Sequence, residues 1–261
     1  MSVVNLRPGV SGPVLFARFA YPPNALGYCG PNDPGALLES ANAGHLASLT
    51  HLAHQFDGAW PYLELIAGCN GLSDPLDRRV VEAYWLGNEL AVNVPGLTLA
   101  SSLDDRFAAR TRQHQSDIAA AVAAGGVPQH NFHVFAVYPW LGMLRAGREG
   151  PAFDVLERCR IRWGQVLESR GDTVRVRSRS LAFERSRLTL GPERVEEVRR
   201  SLDGVGFVDD LSPGEVVSLH WDWVCDRLTP HSLRWLRRCT QRNLDAVNSL
   251  AAPGPAVVCG A

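Results

Sequence analysis

The sequence contains no lysine; all 26 of its basic side chains are arginine. Arginine codons are GC-rich and lysine codons are not, so this absence reflects the coding genome more than chemistry. Long apolar runs are missing too. No stretch of about 18 consecutive apolar residues occurs, which excludes a helix of ordinary spanning length and predicts no membrane partner. The opening MSVVNLRPGVSGPVLFARFAYPP lacks a basic segment followed by a long apolar core, so no secretory signal is expected. Close-spaced cysteine pairs are absent as well. The six cysteines, at 29, 69, 159, 225, 239 and 259, do not read as a disulfide framework in a chain of 261 residues. Together these readings predict a cytoplasmic protein with reduced thiols. HExxH, CxxC pairs, a Walker loop and GxSxG are all missing, which removes the common metalloprotease, zinc, nucleotide and hydrolase signatures. The formal net charge of −1 supplies no general attraction to nucleic acid or an anionic membrane.

What is present is an ordinary soluble composition, 46% hydrophobic and 20% charged, with length for one large domain or two modest ones. Its texture changes midway. Residues 1–150 show apolar positions at three- and four-residue spacing in DPGALLESANAGHLASLTHLAHQF, GAWPYLELIAGCNG and DPLDRRVVEAYWLGN. SLDDRFAARTRQHQSDIAAAVAAGG adds a further helix with a serine N-cap and a Gly-Gly stop. The turn-rich RAGREGPAFD closes this mainly helical region. Beyond it the period becomes alternating. RIRWGQVLE and TVRVRSRSLAF read as strands joined by the turn SRGD. SRLTLGPERVEEVRRSL offers two more short strands, its second half being compatible with a helix, and PGEVVSLHWDWV a fifth. The stretch from Thr229 is a helix with Thr229 as N-cap and Pro230 at its first position. The predicted fold is therefore α+β: a mainly α-helical domain over 1–150, a small OB-like β-barrel with a C-terminal helix over 155–250, and a tail at 251–261.

Cys159 heads CRIRWGQV, where the strand pattern begins, and three arginines crowd it: Arg158, Arg160 and Arg162. A free cysteine is commonly a small buried hydrophobe, but neighbouring positive charge lowers a thiol pKa and favours the metal-binding thiolate. His220, in SLHWDWVCDRL, ends the last predicted strand between apolar residues. Asp222 is near enough in sequence to orient its ring, and Cys225 follows five residues on. The cysteine opening the first strand and the histidine ending the last are candidates to meet at one barrel end. Cys29, in GYCGP, lies in a glycine-flanked loop where backbone and ligand approach closely, though a buried thiol in a turn is the commoner use. His130 and His133 in HNFH have i, i+3 metal spacing on a helix. The apolar VFAVYPW after them favours core histidines instead. His51 and His54 read as a solvated helix face. The alternating arginines of TVRVRSRS would suit an RNA-binding OB fold, but interleaved acids favour a solvated strand face.

CRIRWGQVLESRGDTVRVRSRS resembles the start of the HypC/HupF family of [NiFe]-hydrogenase maturation chaperones. Cys159, Gly164 and Val166 take the places of that family's cysteine, turn glycine and following valine. PGEVVSLHWDWVCDRLTPHSLRWLRR resembles its later strand and helix, with Gly214 at the turn, Glu215 beside it and His220 in place of the family histidine. The resemblance covers about residues 157–249. Three features depart from the pattern: Cys159 is internal, Trp163 replaces a proline, and HWDWV has bulk where the family has glycine. The resemblance implies an OB-type barrel that is not an enzyme. It would carry iron as a transient iron–dicyano–carbonyl cargo, Fe(CN)2CO, held by Cys159 and His220. Its implied partners are the hydrogenase large subunit and the maturation scaffold proteins. The arginines around Cys159 are then expected to balance the fragment's negative charge. Across nearly the whole chain, FARFAYPPNALGYCGPNDPGALLE, FDGAWPYLELIAG and HNFHVFAVYPWLG are similar to an uncharacterised actinobacterial family often encoded beside hydrogenase genes. Two other classes stay open: a thiolate-based metal protein or small enzyme using Cys29 or Cys159, and an OB-type nucleic-acid binder, whose affinity would be strongly salt-dependent.

Overall fold

The structure of the chain is a computed structural model, and it describes residues 10–111, 115–148 and 150–249. The predicted tail at 251–261 lies outside them. Helices dominate the first part: α1 (Gly12–Ala25), α2 (Ala36–Asn42), α3 (Leu46–Ala53), α4 (Trp60–Cys69), α5 (Arg78–Trp85), α6 (Glu89–Val92), α7 (Gly96–Thr111) and α8 (Gln115–Ala123). A short α9 (His130–Phe132) runs into one π-helical turn over His133–Val137, followed by α10 (Trp140–Arg145) and α11 (Gly150–Cys159). Strands β1 (Arg162–Arg170), β2 (Thr173–Glu184), β3 (Arg187–Arg199), the small hairpin β4 (Ser201–Leu202) and β5 (Val205–Gly206), then β6 (Val216–His220) and β7 (Trp223–Arg227) precede α12 (Pro230–Asn248). The fold is α+β, with a helical first region, a five-stranded sheet and a C-terminal helix.

The local chemistry behind these elements is plain. Asp77 caps α5 by accepting from the Arg79 amide, and Asn88 caps α6 through the Leu90 amide. Thr229 caps α12 through the Ser232 amide, with Pro230 in the first turn, as its sequence predicts. The helix expected over 33–56 is instead two, because Gly44 takes φ +71 between α2 and α3. The helix expected from Ser102 starts earlier, at Gly96, and α7 ends at Thr111, before α8 begins.

In the sheet, β1, β2 and β3 form an antiparallel meander; β6 pairs with both β7 and β1; and one parallel step joins Arg199 of β3 to Trp223 of β7. The order β1-β2-β3-β7-β6 therefore closes on itself. The segment 187–199 is one long strand, not two short ones, and RVEEVRR is strand rather than helix. PGEVVSLHWDWV holds two strands, because Trp221 at φ +54 begins a tight turn after His220. Gly214 does lie at a turn, with φ +92. Gly164, expected at a turn, sits within β1. A Cβ there would come 3.1 Å from Val176 Cβ, so the glycine permits close packing inside the sheet.

One continuous hydrophobic core runs from the helices into the sheet interior. Helix α1 rests on β6 and β7: Arg18 pairs with Asp226 at 2.5 Å, and Tyr21 packs edge-on against Trp223. Asn131 clamps the start of β1. Its Oδ1 accepts from the Ile161 amide at 2.6 Å, and its Nδ2 donates to the Ile161 carbonyl and to Thr240 Oγ1 of α12. No helix among the described residues is long and apolar enough to cross a membrane.

Candidate metal centre between the helices and the sheet

Cys159 is the last residue of α11, not the head of a strand. That helix buries Ala152, Val155, Leu156 and Cys159 at three- and four-residue spacing, so the thiol faces inward. Three residues later β1 begins, and its first residue, Arg162, pairs with Leu219 of antiparallel β6. The end of β6 therefore lies beside the beginning of β1. The Trp221 amide donates to the Arg158 carbonyl at 2.7 Å and pins the two chain turns together. Cys159 and His220 meet at one end of the sheet, as their positions in the sequence predict. A third donor joins them from the helical region. His130 opens α9, where Gln129 caps the helix and Asn131 holds the Ile161 backbone. The potential ligand atoms of His130, Cys159 and His220 all lie within 4.8 Å of one another, and all three residues are buried. His130 Nε2 is 3.9 Å from Cys159 Sγ, and the two imidazole centroids are 5.0 Å apart.

Hydrogen bonds define the rings. His220 Nδ1 donates to the Phe19 carbonyl at 2.6 Å, which leaves Nε2 with its lone pair. That Nε2 is buried and has no hydrogen-bond partner. Such a carbonyl-anchored imidazole has the arrangement metal-ligating histidines use. His130 Nε2 donates to the Cys159 carbonyl at 2.9 Å, and its Nδ1 accepts from the Tyr84 hydroxyl at 3.1 Å. Burial lowers the His130 pKa to about 4, with the Cys159 carbonyl opposing. Burial, and then the neighbouring His130, hold His220 well below its usual value. Burial pushes the Cys159 thiol far up, Cys29 adds to that, and the Trp221 indole opposes it. Burial also raises Cys29, to about 12. The centre is thus a neutral thiol between neutral imidazoles, a donor set that suits soft or borderline transition metals once the thiol proton leaves.

Against these donors lies a cavity of about 150 Å³, walled by Tyr84, Trp85, Trp140 and Trp221 on its aromatic sides and by Cys29 from the loop after α1. Tyr28 of that loop stacks on Trp221 with centroids 4.3 Å apart, and Asn24 Nδ2 donates to the Cys29 and Pro31 carbonyls. No carboxylate and no arginine lines this cavity among the described residues.

The expected roles of the surrounding charges are not met. Arg158 is exposed and pairs with Asp154; Arg160 is buried but held by Glu157 and the Arg179 carbonyl; Arg162 pairs with Glu196. Each guanidinium is engaged by a carboxylate of its own, so these arginines do not lower the thiol pKa. Asp222 is exposed on the turn and does not orient the His220 ring, a task taken by the Phe19 carbonyl. His51 and His54 are exposed, the former on α3 and the latter just past its end. His133 is a core residue, bonded through Nδ1 to the Tyr62 hydroxyl at 3.0 Å. The HNFH spacing thus pairs neither histidine with the other. His130, which sequence reasoning set among the core residues, is a member of the cluster. No local signal marks it, since its place depends on the Asn131 clamp on Ile161, distant in sequence. Cys225 is buried in β7 and is not a member of the cluster. On β2, Arg175 and Arg179 are exposed and stand opposite Glu197 and Glu193 of β3.

Fold and centre together define an α+β protein whose helical region and sheet jointly enclose a His-Cys-His donor set. The chain belongs to a family of unknown function (DUF6390), whose model matches residues 8–253. No curated protein and no solved structure matches it.

Proposed function

We propose that the protein is a non-catalytic metal carrier that serves [NiFe]-hydrogenase assembly, presenting a small iron fragment from Cys159 and His220 to the hydrogenase large subunit or a maturation scaffold. The observation that carries this reading is the meeting of Cys159 with the unpartnered Nε2 of His220 in one buried cluster. A thiolate suits soft low-spin iron and imidazole suits iron as well. The OB-type barrel that such a carrier implies is supported by the strand order β1-β2-β3-β7-β6 with its single parallel step. With the nearby arginines engaged elsewhere, indole and phenol groups of the wall are the polar contacts left for the fragment's diatomic ligands.

Infrared spectroscopy of the protein, co-expressed with hydrogenase maturation proteins and purified without oxygen, tests this reading. Cyanide and carbonyl stretches that vanish in Cys159→Ala are the expected result. Their absence from a folded wild-type protein would overturn the carrier role.

A second reading, a thiolate protein with a resident metal ion, is favoured by one further observation. His130 supplies a third nitrogen donor that the carrier reading does not require.

A further inference from the structure

Cys159 and His220 lie on α11 and β6, but the third donor comes from the opposite side of the centre, and its surroundings prepare it to bind. His130 Nε2 now donates to the Cys159 carbonyl, while Nδ1 accepts from Tyr84 Oη. A hydroxyl both donates and accepts, so the other tautomer, with Nδ1–H donating to Tyr84 Oη, is open to the ring once the Cys159 carbonyl, now 2.9 Å from Nε2, turns away. That tautomer frees the Nε2 lone pair, 3.9 Å from Cys159 Sγ. A tetrahedral ion with bonds of about 2.0–2.1 Å to nitrogen and about 2.3 Å to sulfur sets its ligand atoms roughly 3.3–3.6 Å apart. The observed spread, within 4.8 Å, closes to that by shifts of about an ångström.

Charge fixes the rest of the coordination sphere. Binding a divalent ion releases one proton, from the Cys159 thiol to solvent, and leaves one thiolate with two neutral imidazoles. The centre then carries one positive charge in a cavity with no carboxylate on its wall, and an uncompensated buried charge is costly. An anion on the metal removes it, and the cavity of about 150 Å³ beside the donors has room for a small one.

We propose that His130, Cys159 and His220 form a three-ligand site for one divalent transition-metal ion, with a fourth position open to the cavity and filled by a small exogenous anion. This rests on the reading that Cys159 and His220 hold metal, and adds a ligand from the helical region and a class of exogenous ligand.

The test is Co2+ titration of the purified full chain under reducing conditions, followed by azide. The expected wild-type result is one equivalent of Co2+ with the intense visible bands of four-coordination, one thiolate charge-transfer band, and a shift of the visible bands on adding azide. His130→Gln should weaken binding at least about tenfold while circular dichroism and thermal melting stay as in the wild type. Should that variant fail to fold, Tyr84→Phe, which removes the acceptor for Nδ1–H, should weaken binding by about tenfold. Cys29→Ser should leave the spectrum unchanged. Pale six-coordinate cobalt without charge transfer, wild-type affinity in the His130 or Tyr84 variant, a halved charge-transfer band in Cys29→Ser, or bands indifferent to azide would each overturn the proposal. Failure here is distinguishable from failure of the carrier reading. Infrared stretches that persist in a protein unable to bind Co2+ sink only the ion site. Four-coordinate Co2+ in a protein that gives no infrared stretches sinks only the carrier.

Discussion

His220 Nδ1 stands 2.6 Å from the carbonyl oxygen of Phe19, so a residue of α1 decides which nitrogen of a β6 residue keeps its lone pair. The contact also satisfies a buried carbonyl. His220→Ala removes the donor and opens space in the core. It should cost about 1–3 kcal/mol for the stranded carbonyl alone, read as a lower urea midpoint at unchanged slope. A stability equal to that of the wild type would show that the helix does not depend on the ring.

Asn131 makes the matching connection one residue after His130. It exchanges two hydrogen bonds with the Ile161 backbone and a third with Thr240. Asn131→Ala leaves the Ile161 amide and carbonyl buried without these partners, and about 1–3 kcal/mol for each such group predicts a loss of roughly 3 kcal/mol or more. The same change releases the 159–161 segment from α9, so Co2+ affinity should fall together with stability. Calorimetry and cobalt titration on one preparation check both. Affinity that stays intact would separate the clamp from the centre.

The parts of this molecule that were legible in its sequence are those governed by local rules. Thr229 and Pro230 announce α12, and the alternation of TVRVRSRSLAF announces β2. Cys159 and His220 were candidates to meet because the start of β1 and the end of β6 are positions that antiparallel neighbours share, and Cys159, though it ends α11, lies just before β1. His130 could not be placed with them, since nothing within HNFH shows that α9 will be clamped against Ile161, thirty residues on. The arginines misled for a related reason. Adjacency in sequence put Arg158, Arg160 and Arg162 beside the thiol, but their long side chains reach carboxylates at 154, 157 and 196 instead.

Arg160 and Glu157 form a buried pair with unequal support. Glu157 also accepts from the Leu181 amide at 2.6 Å and from Arg194, whereas Arg160 has only Glu157 and the Arg179 carbonyl. Removing the carboxylate strands a buried guanidinium, so Glu157→Leu should cost about 3–5 kcal/mol. Arg160→Met leaves Glu157 its other two donors and should cost distinctly less. Denaturation midpoints of the two variants test this order, and the reverse order would refute it.

Glu196 gives the fold a pH dependence with a definite sign. Burial alone would raise its pKa. The charge and hydrogen bonds of Arg162, the Ser178 hydroxyl and Arg194 outweigh burial and bring it from 4.5 to about 2. The carboxylate is only 17% exposed, so solvent screens these contacts little. Because the folded state holds the charged form more firmly, the contribution is complete above the unfolded value of 4.5. It is lost as pH falls through that value toward about 2. A shift of that size corresponds to about 3 kcal/mol. Glu196→Gln, measured beside the wild type by urea unfolding across acid pH, should be less stable by that order at neutral pH, and the gap should narrow below about pH 4.5 and close near pH 2. A gap of constant size down to pH 2 would mean that Glu196 supports the sheet through its shape and neutral hydrogen bonds, with no contribution from its charge.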